Sequence, residues 1–479
     1  MKKIDIYLIY PIVSLCVLLG SAFLPTSSLE ASTKPWVMAY VGDWWLGYNG
    51  DGTMPIGKIN FKGMTDCDYM SILPTTKAPF MDTTGNIHPA QLLVDSAHAA
   101  GVKCTFTIGA WYTESAFQTA TNATNLSTFV SGLVNFVKEC GFDGIDIDWE
   151  PLVASDTTQW ANLIKGLRQA LPSPQYRISV TGGWGSPYAA YASVQSYLDQ
   201  IDIMTYDLDT YASGYNSWYA ASVYSNGFTD PYDNTTPVPS CNYLVGLYET
   251  AGVSASKLAI GCEPGGDLWT GISGANQSIA TVKTWTVDIA YDTIMAKYYK
   301  PSLYHWDSGA EASYLSFDTT DTNLDWFLSY DDTTALAAKL LYVKKTGLGG
   351  IIIYELGMSY DTKTGTNPFT TVSQVFLDSY NTSAVQTGPT VPSKIFLSQN
   401  YPNPFNPTTQ VDYAIPRREF VTLDVYNILG QKVATLFSGV RDQGNYAATF
   451  NGSQFASGVY FYRLTAGNSS MTKKLVLIK

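Results

Sequence analysis

A (β/α)8 barrel, the TIM-barrel class of α/β fold, followed by a β-sandwich is the architecture this 479-residue sequence predicts. Three observations predict it. Between residue 36 and about residue 380, eight short β-rich runs alternate with segments of helical period. No glycine-rich phosphate loop follows the first run, which removes the doubly wound open sheet as a competitor. After a polar, proline-containing stretch, strand runs separated by Gly and Asn turns continue to the last residue.

The elements follow in order. "MKKIDIYLIYPIVSLCVLLGSAFL" pairs a Lys-Lys start with an apolar run, and "SSLEAS" supplies small residues for cleavage near Ala31, so residues 1–31 read as a secretory signal peptide. A single N-terminal membrane anchor is the rival reading. Leu15 is too large for lipoprotein processing at Cys16. The eight strand runs are "WVMAYVGDWW", "DCDYMSILP", "KCTFTIGAW", "FDGIDIDWE", "RISVTGGW", "IDIMTYD", "KLAIGCEPGG" and "GGIIIYELG". Helices between them show in "LSTFVSGLVNFVKECG", "TQWANLIKGLRQAL" and "TALAAKLLYVKKTG", where apolar residues recur at three and four and Gly347 supplies a stop. Residues 268–330 are too long for a barrel loop and mix helix-like and strand-like patterns, which predicts a small α+β insertion after strand seven. The barrel domain so read spans 32–380. "NTSAVQTGPTVPSK" marks a linker at 381–394, and 395–479 form the sandwich, expected to be immunoglobulin-like.

Composition narrows the chemistry. Charged residues are 14% of the chain and the formal net charge is -12, with no basic stripe, which argues against nucleic acid or an anionic membrane as partner. Cys67, Cys104, Cys140, Cys241 and Cys262 remain once Cys16 leaves with the signal; their wide spacing gives no disulfide framework and no metal signature, and leaves room for one disulfide among buried thiols. His88, His98 and His305 are too few and too scattered for a His-ligated metal or a His-based triad. Hydrolytic chemistry in this chain therefore rests on carboxylates and tyrosines.

The fourth run concentrates those carboxylates. Alternation sends Ile145, Ile147 and Trp149 to one face and Asp146, Asp148 and Glu150 to the other, the face toward the barrel axis. Glu150 then sits at the carboxyl end of its strand, where barrel active sites are built. Three carboxylates along an axis repel one another and share protons, which raises at least one pKa and suits a general acid. Asp143 has the wrong parity for that face: either Gly144 carries a bulge or Asp143 lies at the strand's start. A charge network at the barrel bottom would account for Asp143 and Asp146 but not for Glu150 beside Trp149 at the mouth.

"FDGIDIDWE" resembles the D-x-x-D-x-D-x-E signature of glycoside hydrolase family 18, the chitinases and their relatives, in every acidic position. The resemblance spans about residues 36–380: "IDIMTYD" is similar to the family's Met-x-Tyr-Asp strand, and "FLSYDDTTALAAKLLYVKKTGLGGIIIYELG" to its closing segment. It implies a substrate-assisted, retaining mechanism without metal or cofactor. Glu150 would protonate the glycosidic oxygen while the sugar's N-acetyl oxygen attacks the anomeric carbon. Asp148 would hold the acetamide N–H, Asp146 would share a proton with Asp148, and Tyr206 would donate to the acetamide oxygen. Met204 and Asp207 would line the same floor, and Asp143 is carried with them as a candidate contact. Among tryptophans that follow strands (Trp44, Trp45, Trp111, Trp184 and Trp269), Trp45 and Trp111 are the chosen candidates for stacking on a pyranose face. Two departures stand out. "TIGA" (107–110) replaces the family's Ser-x-Gly-Gly, and Tyr354 replaces the tryptophan expected under the reacting sugar.

"LSQNYPNPFNPTTQVDYAIP", "VTLDVYNILGQKV", "SGVYFYRLTAG" and the ending "KKLVLIK" are similar to the type A sorting domain of the type IX secretion system of Bacteroidetes-like bacteria. That resemblance implies a protein exported from a Gram-negative cell, to the medium or the outer surface, through contact with the secretion machinery. The sequence reading is thus a secreted, monomeric chitinase-type hydrolase of β-1,4-linked N-acetylglucosamine. An endo-β-N-acetylglucosaminidase acting on N-glycans and a non-catalytic chitin-binding protein on the same barrel are the alternatives.

Overall fold

The computed structural model describes residues 34–477 except 210–213, 232, 382–394, 399, 401–404 and 468. The predicted signal peptide, and the predicted linker from 382 on, lie outside the described residues. The chain divides into two compact units between Leu377 and Asp378.

In the first unit eight parallel strands close a barrel: Trp36–Gly42, Asp66–Pro74, Lys103–Ala110, Gly144–Trp149, Arg177–Gly182, Gln200–Ile203, Leu258–Cys262 and Gly350–Ile353, numbered one to eight below. Each pairs with the next, and strand one pairs with both strand two and strand eight. They coincide with the eight runs read from the sequence. Strands covered on both faces need apolar residues throughout; in strand eight Ile351, Ile352 and Ile353 are all buried.

Helices cover the outer face for the reasons their sequences give. Leu126–Cys140 buries Phe129, Leu133, Phe136 and Val137 and ends where Gly141 takes φ 80°. Thr157–Ala170 buries Trp160, Leu163, Ile164 and Leu167. Thr333–Thr346 begins at Asp332, whose side chain accepts from the Thr334 and Ala335 amides, and stops at Gly347 with φ 72°. Its Lys339, fully buried, donates to Asp331 at 2.5 Å and to the Gly261 carbonyl at 2.9 Å, which pins this helix to strand seven. A smaller apolar cluster fills the barrel itself, with Met38, Tyr40, Met70, Tyr206, Ala259 and Ile352 at its centre.

The insertion after strand seven begins three residues earlier than the predicted 268. It is a five-stranded antiparallel sheet in the order Thr284–Ala290, Gly265–Thr270, Trp326–Tyr330, Ala312–Phe317, Tyr304–Asp307, with the helix Tyr291–Lys297. Trp269, a candidate sugar platform by sequence, is fully buried in this insertion and donates its indole N–H to Asp209 at 3.0 Å. The five cysteines are all buried and unpaired, so the disulfide for which the sequence left room is not formed among the described residues.

The second unit holds two antiparallel sheets, Phe396–Leu397 with Thr408–Ile415 and Gly444–Asn451, and Lys432–Arg441 with Glu419–Asn427, Gly458–Ala466 and Ser469–Leu477. Leu397, Val411, Tyr413, Val425, Tyr462 and Leu464 are among the residues of the core they enclose, as a sandwich requires. No helix among the described residues is long and apolar enough to cross a membrane.

Candidate active site

Strand four runs in regular register between strands three and five, with Gly144 opposite Thr105 and Arg177. There is no bulge, so Asp143 lies at the strand's start. Its carboxylate takes the Cys104 amide at 2.8 Å and faces His98 Nε2 at 2.8 Å, at the amino end of the barrel. Asp143 is therefore not a cleft residue; parity put it on the wrong face, and the structure gives it the bottom-network role.

The remaining carboxyls of strand four climb the axis, each met by hydroxyls of other strands. Ser179 donates to Asp146 Oδ1 at 2.6 Å and Tyr40 to its Oδ2 at 3.2 Å. Thr181 donates to Asp148 Oδ1 at 2.6 Å. Asp68 of strand two completes the ladder, receiving Thr105 at 2.6 Å and Thr107 at 2.5 Å. Thr107, where the family pattern has serine, keeps a hydroxyl at work. Gly109 has φ 124°, and a Cβ there would sit 1.8 Å from the Asp148 carbonyl, so glycine is required at that step of "TIGA". On the opposite face Ile145 and Ile147 join the main core, and Trp149 stacks on Phe117 with centroids 4.6 Å apart.

Burial raises every carboxyl in this ladder. Asp146 rises to about 7 by burial, with the Asp148 charge adding to it against the Ser179 and Tyr40 hydrogen bonds. Glu150 rises to about 9, through burial first and then the charge of Asp148, to which it donates a hydrogen bond. Asp148 is also raised by burial, while Thr181 and Glu150 pull it down. Asp148 thus stands between two raised carboxyls, Asp146 below it and Glu150 above it.

Above the ladder opens a cleft of about 880 Å3, a size suited to a small ligand or a few sugar units. Asp148, Glu150, Met204, Tyr206, Asp207 and Tyr354 line it, as do Trp45 and Trp111. Tyr206 and Tyr354 stack at 5.2 Å with rings 12° from parallel, and Tyr40 meets Tyr354 edge-on at 5.9 Å. Gly261 makes room for this pair, since a Cβ there would meet the Tyr206 ring at 2.6 Å. Trp45 is held by its indole N–H on Glu355 at 2.5 Å and packs over Gly357. Trp111 is 55% exposed and so presents a face.

Sequence reasoning did not single out Asp68, Ser179, Thr181, Tyr40, Asp202, Glu263, Asp288 or Glu355. For the first three the signal was present: "DCD" and "ISVT" alternate with the same parity as "DID". Asp202, buried on strand six with neither oxygen hydrogen-bonded among the described residues, is raised well above the usual carboxyl range by burial and by Asp146 and Asp68.

Fold and cleft together define the class: an eight-stranded α/β barrel whose mouth carries a proton-bearing glutamate and an aspartate on one strand. The chain belongs to glycosyl hydrolases family 18, whose model matches residues 37–359. Residues 399–479 match the model of the secretion system C-terminal sorting domain. Chitinase A1 of Niallia circulans is 26% identical over 291 residues, 53% of this chain and 40% of that protein. A probable endochitinase of Orgyia pseudotsugata multicapsid polyhedrosis virus is 28% identical over 282 residues, 52% of this chain and 49% of the relative. The chain thus spans about half the length of these two relatives, or less. The crystal structure of the second catalytic domain of Ostrinia furnacalis Group II chitinase superposes with a TM-score of 0.59 at 21% identity, covering 72% of this chain and 97% of that one, a likeness of fold.

Proposed function

We propose that the protein is a secreted chitinase-like hydrolase that cleaves β-1,4-linked N-acetylglucosamine polymers with retention of configuration. The observation that carries this reading is the meeting of Asp148, Glu150 and Tyr206 in one cleft at the barrel mouth, where burial and the Asp148 charge raise Glu150 to about 9 so that it holds a proton at neutral pH. Glu150 delivers that proton to the glycosidic oxygen while the carbonyl oxygen of the substrate's N-acetyl group attacks the anomeric carbon. The bond to the leaving sugar breaks and an oxazolinium forms. Water then adds at the same carbon, its proton passes to the Glu150 carboxylate, and the acetamide is restored. Two displacements at one carbon leave the configuration unchanged.

Asp148, relieved of the Glu150 proton, accepts the acetamide N–H. Tyr206, whose hydroxyl has no partner among the described residues, donates to the acetamide oxygen. Asp146 supports the charge of Asp148 from below. Met204 and Tyr354 form the floor, Trp45 and Trp111 the walls. The two curated relatives carry chitinase names, and the C-terminal match supports export, to the medium or to the outer surface of a Bacteroidetes-like cell. The protein acts as a monomer in this reading.

Tyr354, with one face already covered by Tyr206, favours a second reading in the same chemistry, release of N-glycans by an endo-β-N-acetylglucosaminidase. The test is product analysis with N-acetylglucosamine hexamer and an N-glycoprotein in parallel, with Glu150→Gln as control. Short oligomers from wild type alone support the chitinase. Glycan release alone moves the assignment, and binding without cleavage favours a sugar-binding protein.

A further inference from the structure

A second group of carboxyls lines the cleft beside Glu150, and of its members only Asp207 belongs to the floor that the family resemblance implies. Asp207 follows strand six, Glu263 follows strand seven, and Asp288 stands in a bulge of the insertion strand Thr284–Ala290 with φ 57°. One oxygen from each lies within 4.8 Å of the others. Glu263 is the informative member. It is 4% exposed, lines the cleft, and its carboxylate has neither hydrogen bond nor ion pair among the described residues. A buried carboxylate left unpaired in this way is costly unless a ligand meets it.

The surroundings supply nothing that meets it. No lysine, arginine or histidine is among the described residues lining the cleft. Burial and the charges of Asp207, Asp267 and Asp288 push Glu263 well above the usual carboxyl range, and Asp207 rises to about 7 by burial and the charges of Asp267 and Asp288. Behind them Asp267 Oδ1 accepts the Asp288 amide at 3.1 Å, which holds the bulge in place. Burial and the charge of Asp209 raise Asp267 to about 10, and Asp209 receives the indole N–H groups of Trp269 and Trp285. Asp209 and Asp267 each keep one buried oxygen without a hydrogen-bond partner among the described residues, but they lie behind the cleft wall, whereas Asp207, Glu263 and Asp288 line the cleft itself.

We propose that Asp207, Glu263 and Asp288 bind the protonated amine of a deacetylated glucosamine unit, so that the substrate is partially deacetylated chitin. This rests on the proposed activity, which requires an acetylated unit at the bond that is cut and places the free amine on a neighbouring unit. An acetamide offers one neutral N–H to three carboxyls; an ammonium offers three charged ones. Charge-assisted contacts of about 2.8 Å in tetrahedral directions put the accepting oxygens about 4.6 Å apart, within the observed spread.

The test uses the full chain carrying Glu150→Gln, titrated calorimetrically at pH 6 and low salt with N-acetylglucosamine hexamer and with a hexamer bearing free amines. The amine-bearing hexamer is expected to bind about tenfold more tightly, an advantage that disappears when Glu263→Gln or Asp288→Asn is added. If buried Glu263→Gln fails to fold, exposed Asp288→Asn carries the comparison. Equal or weaker binding of the amine-bearing hexamer overturns the proposal, as does an advantage that survives Asp288→Asn. Stoichiometric binding of calcium chloride with no preference for the amine also overturns it and makes the pocket a metal site. Turnover of both hexamers by wild type is measured alongside. If neither is cut, the proposed activity fails while the binding difference still decides the pocket.

Discussion

Two groups of carboxyls meet in one cleft, and their surroundings treat them differently. Along the axis Asp68, Asp146 and Asp148 each receive hydroxyl donors from a neighbouring strand, and burial with the Asp148 charge keeps the proton on Glu150. At the rim Asp207, Glu263 and Asp288 stand together without a donor among the described residues. The difference teaches what each group is built for. Internal donors fix the position and proton of a reacting group in advance; Asp202, sealed below them without a donor, is raised well above the usual carboxyl range, while the rim group opens on the cleft where a ligand can complete it.

The largest expected effect breaks the axis at its top. Glu150→Gln removes the transferable proton but keeps the shape, and kcat on N-acetylglucosamine hexamer should fall by about a thousandfold or more with thermal stability retained. A loss of less than tenfold would detach Glu150 from the chemistry. Asp148→Asn should cost about a hundredfold in kcat with a smaller change in KM, because it weakens a contact made mainly as charge develops on the oxazolinium.

Thr181→Ala sharpens the comparison by removing one internal donor. The Thr181 hydrogen bond lowers Asp148, so its loss raises that carboxyl further. Activity needs Asp148 ionised, and the acidic limb of the kcat/KM profile should therefore move to higher pH. The basic limb, set by loss of the Glu150 proton near its value of about 9, should move much less. An unshifted acidic limb in Thr181→Ala would mean that Asp148 does not set it.

The smallest effect concerns stability. Asp146 and Asp207 at about 7 and Glu150 at about 9 all hold protons more tightly folded than unfolded. Groups of this sign contribute stability that is complete only below the unfolded carboxyl value of about 4 and is lost progressively as pH rises from there through the folded values. The Tm of the wild-type chain should accordingly drop by at least about 3 °C between pH 6 and pH 9. A rising Tm over that window would contradict the raised values.

The two groups were also unequally legible in the sequence. The axis is written into one strand, where alternation alone sends Asp146, Asp148 and Glu150 to the same face, and the eight strand runs fell where the barrel has them. Lys339 shows the limit of such patterns. It sits on the apolar face of a helix, and only the tertiary fold shows that Asp331 and the Gly261 carbonyl neutralise it. The rim is assembled from positions 207, 263 and 288, brought together by a bulge and by an insertion whose sheet order cannot be read locally. Asp143 was misjudged for a related reason: its motif is contiguous with the site, but it lies at the other end of the same strand.

The account's central claim is that Glu150 and the substrate's own acetamide act in sequence on one carbon. Proton NMR of the first products released by the full chain from N-acetylglucosamine hexamer, recorded faster than mutarotation, tests it most directly. The account predicts reducing ends that appear first as the β-anomer and do not appear with Glu150→Gln. Reducing ends that appear first as the α-anomer would require direct attack by water and would contradict it.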